Sequence, residues 1–297
     1  MKFSFFILTY NRPSETQEAV DNVANFVEVP EGDEREIIIV NNNSSVDYTS
    51  FEKYIDNITD LTYYKNKINS GVAGGRNIAT ELCTGDVLIS LDDDAEYLEA
   101  NMLFKLKELM AKYHDDDIGI YTFKVVERSD GRVHMATKNK SDLNKKEFFT
   151  TYFKGGAHAI LRPVSSQLNG YKIGGVYGAE EYDLSYRALD EGFKILHTSQ
   201  ISILHKKSPT GREGYAKQLG YLLQNKSLIA YKYLPTKYFL SHLVLWSGHY
   251  LIKTKGDIIG MMRFINSTIS LTKKTNKTPV SDDCIDYVKS IGGRLHY

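Results

Sequence analysis

Three carboxylates in a row, Asp92, Asp93 and Asp94, follow the apolar run Val87-Leu88-Ile89-Ser90-Leu91. Repulsion within such a cluster raises its pKa values unless a cation or strong donors offset it. A hard divalent cation, which takes oxygen ligands and completes its shell with water and phosphates, is the simplest offset. The plainer reading is an acidic turn capping a helix that starts near Tyr97, because carboxylates favour helix N-termini. A second stretch with chemical potential is the Gly-rich Asn69-Ser70-Gly71-Val72-Ala73-Gly74-Gly75-Arg76-Asn77. It could bring backbone amides close to a phosphate at a helix start, or serve as a tight strand-to-helix turn. It matches neither the dinucleotide fingerprint nor the P-loop.

The surrounding pattern alternates strand-like and helical runs, the signature of an α/β fold with a mostly parallel sheet flanked by helices. Strands are expected at Phe3–Leu8, Glu36–Val40, Leu61–Tyr64 and Asp86–Leu91, and further on at Ile118–Val126, Tyr152–Leu161 and Lys194–Leu204. Helices are expected from Pro13 through Val27, from Tyr48 to Ile58, from Gly71 to Leu82 and from Glu180 to Glu191, with Gly192 as the last one's cap. The three aspartates then lie at the carboxyl end of a buried strand, where open α/β sheets bind ligands. From Tyr215 onward aromatic, aliphatic and Lys residues mix in long helical patterns, so a C-terminal helical extension is expected.

The 297 residues suit one catalytic domain with appended helices. Lys+Arg and Asp+Glu both number 37, which argues against a nucleic-acid partner. Lys206 to Lys277 nevertheless carries an excess of eleven positive charges, suiting an anion-facing back and an acidic, metal-binding front. Cys83 and Cys284 have no metal-ligand spacing and fit a reducing cytoplasm. Phe3–Leu8 is too short for a signal peptide or a membrane span.

Taken in order, the motifs resemble glycosyltransferase family 2, a group of inverting enzymes with the GT-A (Rossmann-like) fold. Ile7-Leu8-Thr9-Tyr10-Asn11-Arg12-Pro13 looks like its first nucleotide-contacting loop, and Ile38-Ile39-Val40-Asn41-Asn42-Asn43-Ser44-Ser45 like its second. Asn69–Asn77 is similar to its Asn/Gly-rich segment. Leu91-Asp92-Asp93-Asp94 matches its DXD motif, and Gly178-Ala179-Glu180-Glu181-Tyr182-Asp183-Leu184-Ser185-Tyr186-Arg187 resembles the acidic motif that supplies the catalytic base. The resemblance covers residues 1–210. It implies a nucleotide-sugar half over 1–95, an acceptor half over 96–210, and the helical extension over 211–297. It further implies that Thr9, Tyr10, Asn11, Arg12, Asn43, Gly71 and Arg76 contact the nucleotide, with Asp92 and Asp93 near its ribose and phosphates. Asn41 stands where many members carry Asp; its carbonyl can still accept the imide proton of a UDP or dTDP donor. Asp92 and Asp94, joined by His205, are the implied ligands of Mn²⁺ or Mg²⁺, although a histidine at a strand end is as readily structural.

The acceptor hydroxyl must lose a proton as it attacks, and a positioned carboxylate suits that task. Glu181 is the first candidate for it, with Glu180 and Asp183 behind it; first-turn charges complementing the helix dipole are the bland alternative. Lys206, Lys207 and Arg212, with Ser208, Thr210, Gly211 and Gly214 as pivots, read either as a basic loop closing over the diphosphate or as a solvated turn. Phe239–Ile252, flanked by Lys237, Lys253 and Lys255, reads either as an interfacial helix on the inner face of a membrane or as a subdomain packed on the core or a second copy in a homodimer. The expected activity is transfer from a nucleotide sugar to a glycan, lipid-linked or protein acceptor in building a bacterial surface polysaccharide or glycoconjugate. A nucleotidyltransferase and an inactive sugar-binding scaffold are the rival readings.

Overall fold

The computed structural model describes residues 1–172, 178–208 and 214–296. Its first half is built as the apolar periodicity demands. Strands β1 (Lys2–Thr9), β2 (Glu34–Asn41), β3 (Leu61–Lys65) and β4 (Val87–Asp92) pair in parallel in the order β3-β2-β1-β4. Alternate residues of β1 enter two cores. Phe3, Phe5 and Ile7 pack on one face with Ile37, Ile39, Ile89 and Leu91, while Phe6 packs on the other with Ile38, Val40 and Leu88. Burial on both faces is why these strands are nearly continuous apolar runs. Helices α1 (Pro13–Asp21), α2 (Thr49–Ile55) and α3 (Gly71–Leu82) connect them. Pro13 opens α1 with its preset φ. The helix expected to run to Val27 leaves α geometry at Asp21 and continues as a π turn over Asn22–Phe26.

The chain then diverges from the expected pattern. After Asp94 comes a three-residue strand, β5 (Ala95–Tyr97), and helix α4 begins only at Met102 (Met102–Lys112). The three aspartates therefore do not cap a helix starting near Tyr97. Strand β6 (Ile118–Glu127) is followed by β7 (Val133–His134) and β8 (Glu147–Thr150). The strand expected over Tyr152–Leu161 is only β9 (Ala157–Leu161), because Gly155-Gly156 breaks the run. Helices α5 (Arg162–Leu168) and α6 (Glu180–Asp190) precede the long strand β10 (Lys194–His205), and Gly192 takes a left-handed φ of 87° before it. Among the described residues the whole sheet runs β3-β2-β1-β4-β9-β6-β10-β5, with β7 on β6 and β8 on β10. Strand β9 is antiparallel to both neighbours, and β10 is parallel to β6.

The tail forms α7 (Tyr215–Tyr233), α8 (Thr236–Lys253), α9 (Ile258–Thr272) and α10 (Asp282–Ser290). It is not a separate lobe throughout. Ile229 and Tyr233 of α7, Tyr238 of α8, and Ile285 and Val288 of α10 share one core with Ile120, Phe153, Ile160 and Leu184. Helices α7, α8 and α9 add a smaller cluster around Leu219, Leu223, Trp246 and Tyr250. Their outer face leaves Leu240, Val244, Ile252, Ile258 and Ile259 exposed. No helix among the described residues is long and apolar enough to cross a membrane.

Candidate active site

Strand pairing assembles the acidic cluster. Strand β4 ends on Asp92, the next two residues turn, and β5 pairs antiparallel with the end of β10, setting Ala95 opposite His205. On its other side β10 sets His205 opposite Glu127 of β6. Residues more than a hundred positions apart thus meet. Asp92, Asp94 and His205 each offer a ligand atom, all within 4.8 Å of one another. Nε2 of His205 lies 3.3 Å from Asp94 Oδ1, and its Nδ1 lies 3.2 Å from Glu127 Oε1. A carboxylate behind the imidazole fixes the ring and its tautomer, as supporting residues at metal sites do. Burial opposes a charged His205, but Asp94, Asp92 and Glu127 outweigh it and its pKa is raised. Glu127 carries no motif and was not foreseen.

Arg12 is drawn into this cluster. Its guanidinium donates to Asp93 Oδ1 at 2.7 Å and lies 3.3 Å from Asp94 Oδ2, which also accepts the Ser208 backbone N–H at 2.9 Å. One guanidinium does not neutralise three carboxylates. Burial, together with Asp94, pushes Asp93 up to about 7 despite Arg12. Two carboxylates and an imidazole, held with surplus negative charge, form a donor set that fits Mn²⁺ or Mg²⁺. Asp92, whose side chain is 44% exposed, lines a cavity of about 310 Å³ with Glu127, His205, Lys154, Gly155 and Gly156.

The nucleotide-type loops fold as a unit but turn some of the expected contacts inward. Asn11 and Asn43 take left-handed φ values of 60° and 62°, a conformation asparagine tolerates better than most residues. The Asn11 carbonyl accepts the Ser45 N–H, and the Asn11 N–H donates to Ser44 Oγ, both at 2.8 Å. Thr9 is fully buried, bonded to Thr16 and the Tyr48 hydroxyl. Asn41 is also fully buried; its carbonyl accepts from Ser44 N and its amide donates to Tyr63. In this structure both side chains are engaged in bracing the loop. Tyr10, Asn11, Arg12 and Gly71 are partly exposed along the same edge, and Asn43 is exposed.

The second acidic group lies across Arg76. Gly178 and Ala179 both adopt left-handed φ, 76° and 74°, which swings the chain into α6 and presents Glu180 and Glu181 at its first turn. Arg76 is buried and lies 2.6 Å from Glu180 Oε1 and 3.4 Å from Asp92 Oδ1. Its charge is met by these two carboxylates. Glu180 is thereby committed to an ion pair. Asp183 is fully buried between Arg187, Lys232 and the Tyr233 hydroxyl. That network, despite the burial, holds its pKa below the ordinary value, which makes Asp183 structural and removes it from the candidate bases. Glu181 differs from both. Burial, reinforced by Glu180, pushes its carboxyl up to about 7, and among the described residues it makes no ion pair. Of the basic loop, Thr210, Gly211 and Arg212 lie outside the described residues. Lys206 is bonded to Glu18 and Glu96.

Comparison with known proteins agrees with this architecture. The glycosyl transferase family 2 model matches residues 4–167. An uncharacterised protein of Haemophilus influenzae is 27% identical over 164 residues, 53% of this chain and 85% of that protein. Among solved structures, GalNAc-T7 with UDP, GalNAc and Mn²⁺ superposes with a TM-score of 0.67 at 19% identity over 98% of this chain. This chain spans 56% of that one. TarS of S. aureus in complex with UDP gives 0.60 at 16% identity, over 84% of this chain and 72% of that one. The mannosyltransferase PcManGT of Pyrobaculum calidifontis with GDP-Man and Mn²⁺ also gives 0.60 at 16%, over 97% and 78%. These likenesses establish the GT-A fold.

Proposed function

Because the chain belongs to glycosyl transferase family 2, we propose that it is an inverting, cation-dependent enzyme moving a sugar from a nucleoside diphosphate sugar to an acceptor hydroxyl. The observation that carries this reading is the pairing of two unlike carboxylate sites across Arg76. On one side Asp92, Asp94 and His205 bring their ligand atoms within 4.8 Å of one another; on the other burial pushes Glu181 up to about 7.

Asp92, Asp94 and His205 would hold Mn²⁺ or Mg²⁺, which supplies Lewis-acid neutralisation of the charge on a leaving diphosphate. Arg12 keeps Asp93 and Asp94 in place, and Glu127 aims the imidazole. Glu181 takes the proton of the acceptor hydroxyl as the acceptor oxygen bonds to the anomeric carbon and the bond to the diphosphate oxygen breaks. A base with a pKa near 7 is matched to that transfer at neutral pH. No covalent enzyme–sugar intermediate is involved, so the configuration inverts. We place the reaction in bacterial surface polysaccharide or glycoconjugate synthesis, on a glycan, lipid-linked or protein acceptor.

The test is nucleoside diphosphate release from a panel of nucleotide sugars. EDTA should abolish release and Mn²⁺ or Mg²⁺ restore it. Undiminished release in chelator counts against the metal role, and release of pyrophosphate would point to nucleotidyl transfer instead. The exposed Val244, Ile252, Ile258 and Ile259, beside Lys253 and Lys255, further suggest peripheral contact with an anionic bilayer. Co-flotation with phosphatidylglycerol vesicles and not with phosphatidylcholine ones is expected; equal partition to both would remove the electrostatic argument.

A further inference from the structure

Next to Glu181 a cavity of about 210 Å³ opens between the loop carrying Tyr152 and the helices α7 and α8. Its charges are unbalanced. Lys138, Lys226 and Arg294 line it, and among the described residues none of the three forms an ion pair. The one acid lining it among the described residues, Asp142, is already met by Lys145 at 2.8 Å and by the Thr137 hydroxyl at 2.9 Å. The Lys226 ammonium rests over two aromatic faces, 4.2 Å from the Tyr182 ring centre and 4.8 Å from that of Trp246. Cation–π contact of this kind holds a lysine in place without neutralising it.

The neighbouring groups register the same positive field. Burial first, then Lys138 and Lys154, push Lys226 down to about 8 even though Glu181 pulls the other way. His249 lies below its ordinary value through burial and through Lys253, Lys138 and Lys226. Lys226 is half-buried while Lys138 and Arg294 stand exposed at the rim; a half-buried cation that no acid meets costs free energy, and a bound anion lowers that cost. Tyr152 and Tyr182, stacked with ring centres 5.0 Å apart, and Trp246 give the cavity aromatic walls against which a sugar ring can pack.

We propose that this cavity is an acceptor subsite for a group bearing a phosphate or carboxylate, with the ring against Tyr182 and Trp246 and the charge met by Lys138, Lys226 and Arg294. Its role as an acceptor subsite rests on the glycosyl-transfer reading, since it is the nearness of Glu181 that makes a bound hydroxyl an acceptor; anion binding itself does not.

Trp246 is the chain's single tryptophan, so its fluorescence reports occupancy without any assay of turnover. The full-length chain is titrated with glucose 6-phosphate, glucuronate and farnesyl phosphate, with glucose and farnesol as neutral counterparts. At least one anion should saturate the signal tenfold or more tighter than its neutral counterpart, and the responding arm distinguishes a phosphosugar, a uronate and a lipid phosphate. Lys226→Met and Arg294→Gln, checked for folding by thermal melts, should each weaken that binding about tenfold. The proposal is overturned if no probe saturates, if neutral probes bind equally well, or if both folded variants bind unchanged. Anion binding in a chain that releases no nucleoside diphosphate from any donor would keep the pocket and overturn its acceptor role.

Discussion

Replacing Gly156 with alanine separates the metal site from the fold. A methyl group there would lie 2.1 Å from Cγ and Oδ2 of Asp92 and 2.3 Å from Oδ1, so the carboxylate must retreat by about 1 Å or more to reach ordinary contact distance. That displacement is several times the roughly 0.2 Å latitude of a metal–ligand bond. The fold loses only the 3.4 Å Arg76–Asp92 contact, with Glu180 still meeting Arg76 at 2.6 Å. Gly156 is not among the residues with left-handed φ, so its backbone admits alanine, and the Asp92 side chain, 44% exposed, can swing toward solvent. Alanine also lowers unfolded-chain entropy by about 0.4–1 kcal/mol. The melting midpoint should therefore hold or rise slightly, while Mn²⁺ affinity falls about 10- to 100-fold, the scale of disturbed coordination, or about 1.4–2.8 kcal/mol. Mn²⁺ titration by electron paramagnetic resonance on chelator-stripped protein reads the affinity, and a thermal melt reads the fold. Gly248→Ala, whose added methyl meets nothing within 4 Å, is the control and should match the parent in Mn²⁺ affinity. A folded Gly156→Ala protein binding Mn²⁺ within about twofold of the parent would refute the assignment of Asp92 as a ligand.

Glu181→Gln should retain donor binding while transfer drops about 100-fold or more, the scale of general-base catalysis; normal turnover would move the base elsewhere. In the parent enzyme the rate should climb with pH and level off above about 7, where Glu181 is ionised, and a flat profile between pH 5 and 8 would contradict that titration. Because the folded-state pKa is raised above its unfolded value, Glu181 stabilises the fold at acid pH and loses that contribution as pH rises through about 7. Glu181→Gln should accordingly melt higher than the parent at pH 8, and a lower midpoint would argue against the raised pKa. Glu180→Ala leaves Arg76 buried with only the 3.4 Å contact to Asp92, so a loss of about 3–5 kcal/mol is expected in chemical denaturation. Adding Arg76→Met should recover most of it, and failure to recover would mean that the charge pair is not the cause.

Much of this architecture could be read from residue order, and the failures have definite causes. Strands β1, β2 and β4 are apolar on both faces, and α3 keeps helical spacing over Gly71–Leu82, so each is set by its own residues. Strand β5 is not. Ala95–Tyr97 is a strand only because the end of β10, more than a hundred residues away, pairs with it. The nucleotide-type loops could be picked out by their residues, yet a loop motif does not say which side chains turn inward. Thr9 and Asn41 carry the right chemistry and expend it on Tyr48, Thr16, Ser44 and Tyr63. Glu127 and Lys226 left no local pattern to find, and Trp246 showed only as part of the apolar Phe239–Ile252 stretch. The closest available signal was Lys154-Gly155-Gly156, a glycine pair where backbone passes close against Arg76 and Asp92.

Arg76 explains why those glycines and the two acidic groups belong to one construction. A buried guanidinium is costly unless carboxylates meet it, and here Glu180 meets it from α6 while Asp92 meets it from β4. A methyl at Gly155 would lie 2.8 Å from its Nη1, so the backbone must pass without a side chain for the bridge to form. The partition of roles follows from that geometry. Glu180 is committed to Arg76 and Asp183 to Arg187, which leaves Glu181 as the one first-turn carboxylate of α6 without an ion pair among the described residues. A cation gained at Asp92 and Asp94 would weaken the hold of Asp92 on Arg76 and strengthen that of Glu180, fixing the turn that presents Glu181. The left-handed Ala179 makes that turn costly to hold, and the Arg76–Glu180 pair is the charge contact positioned to hold it.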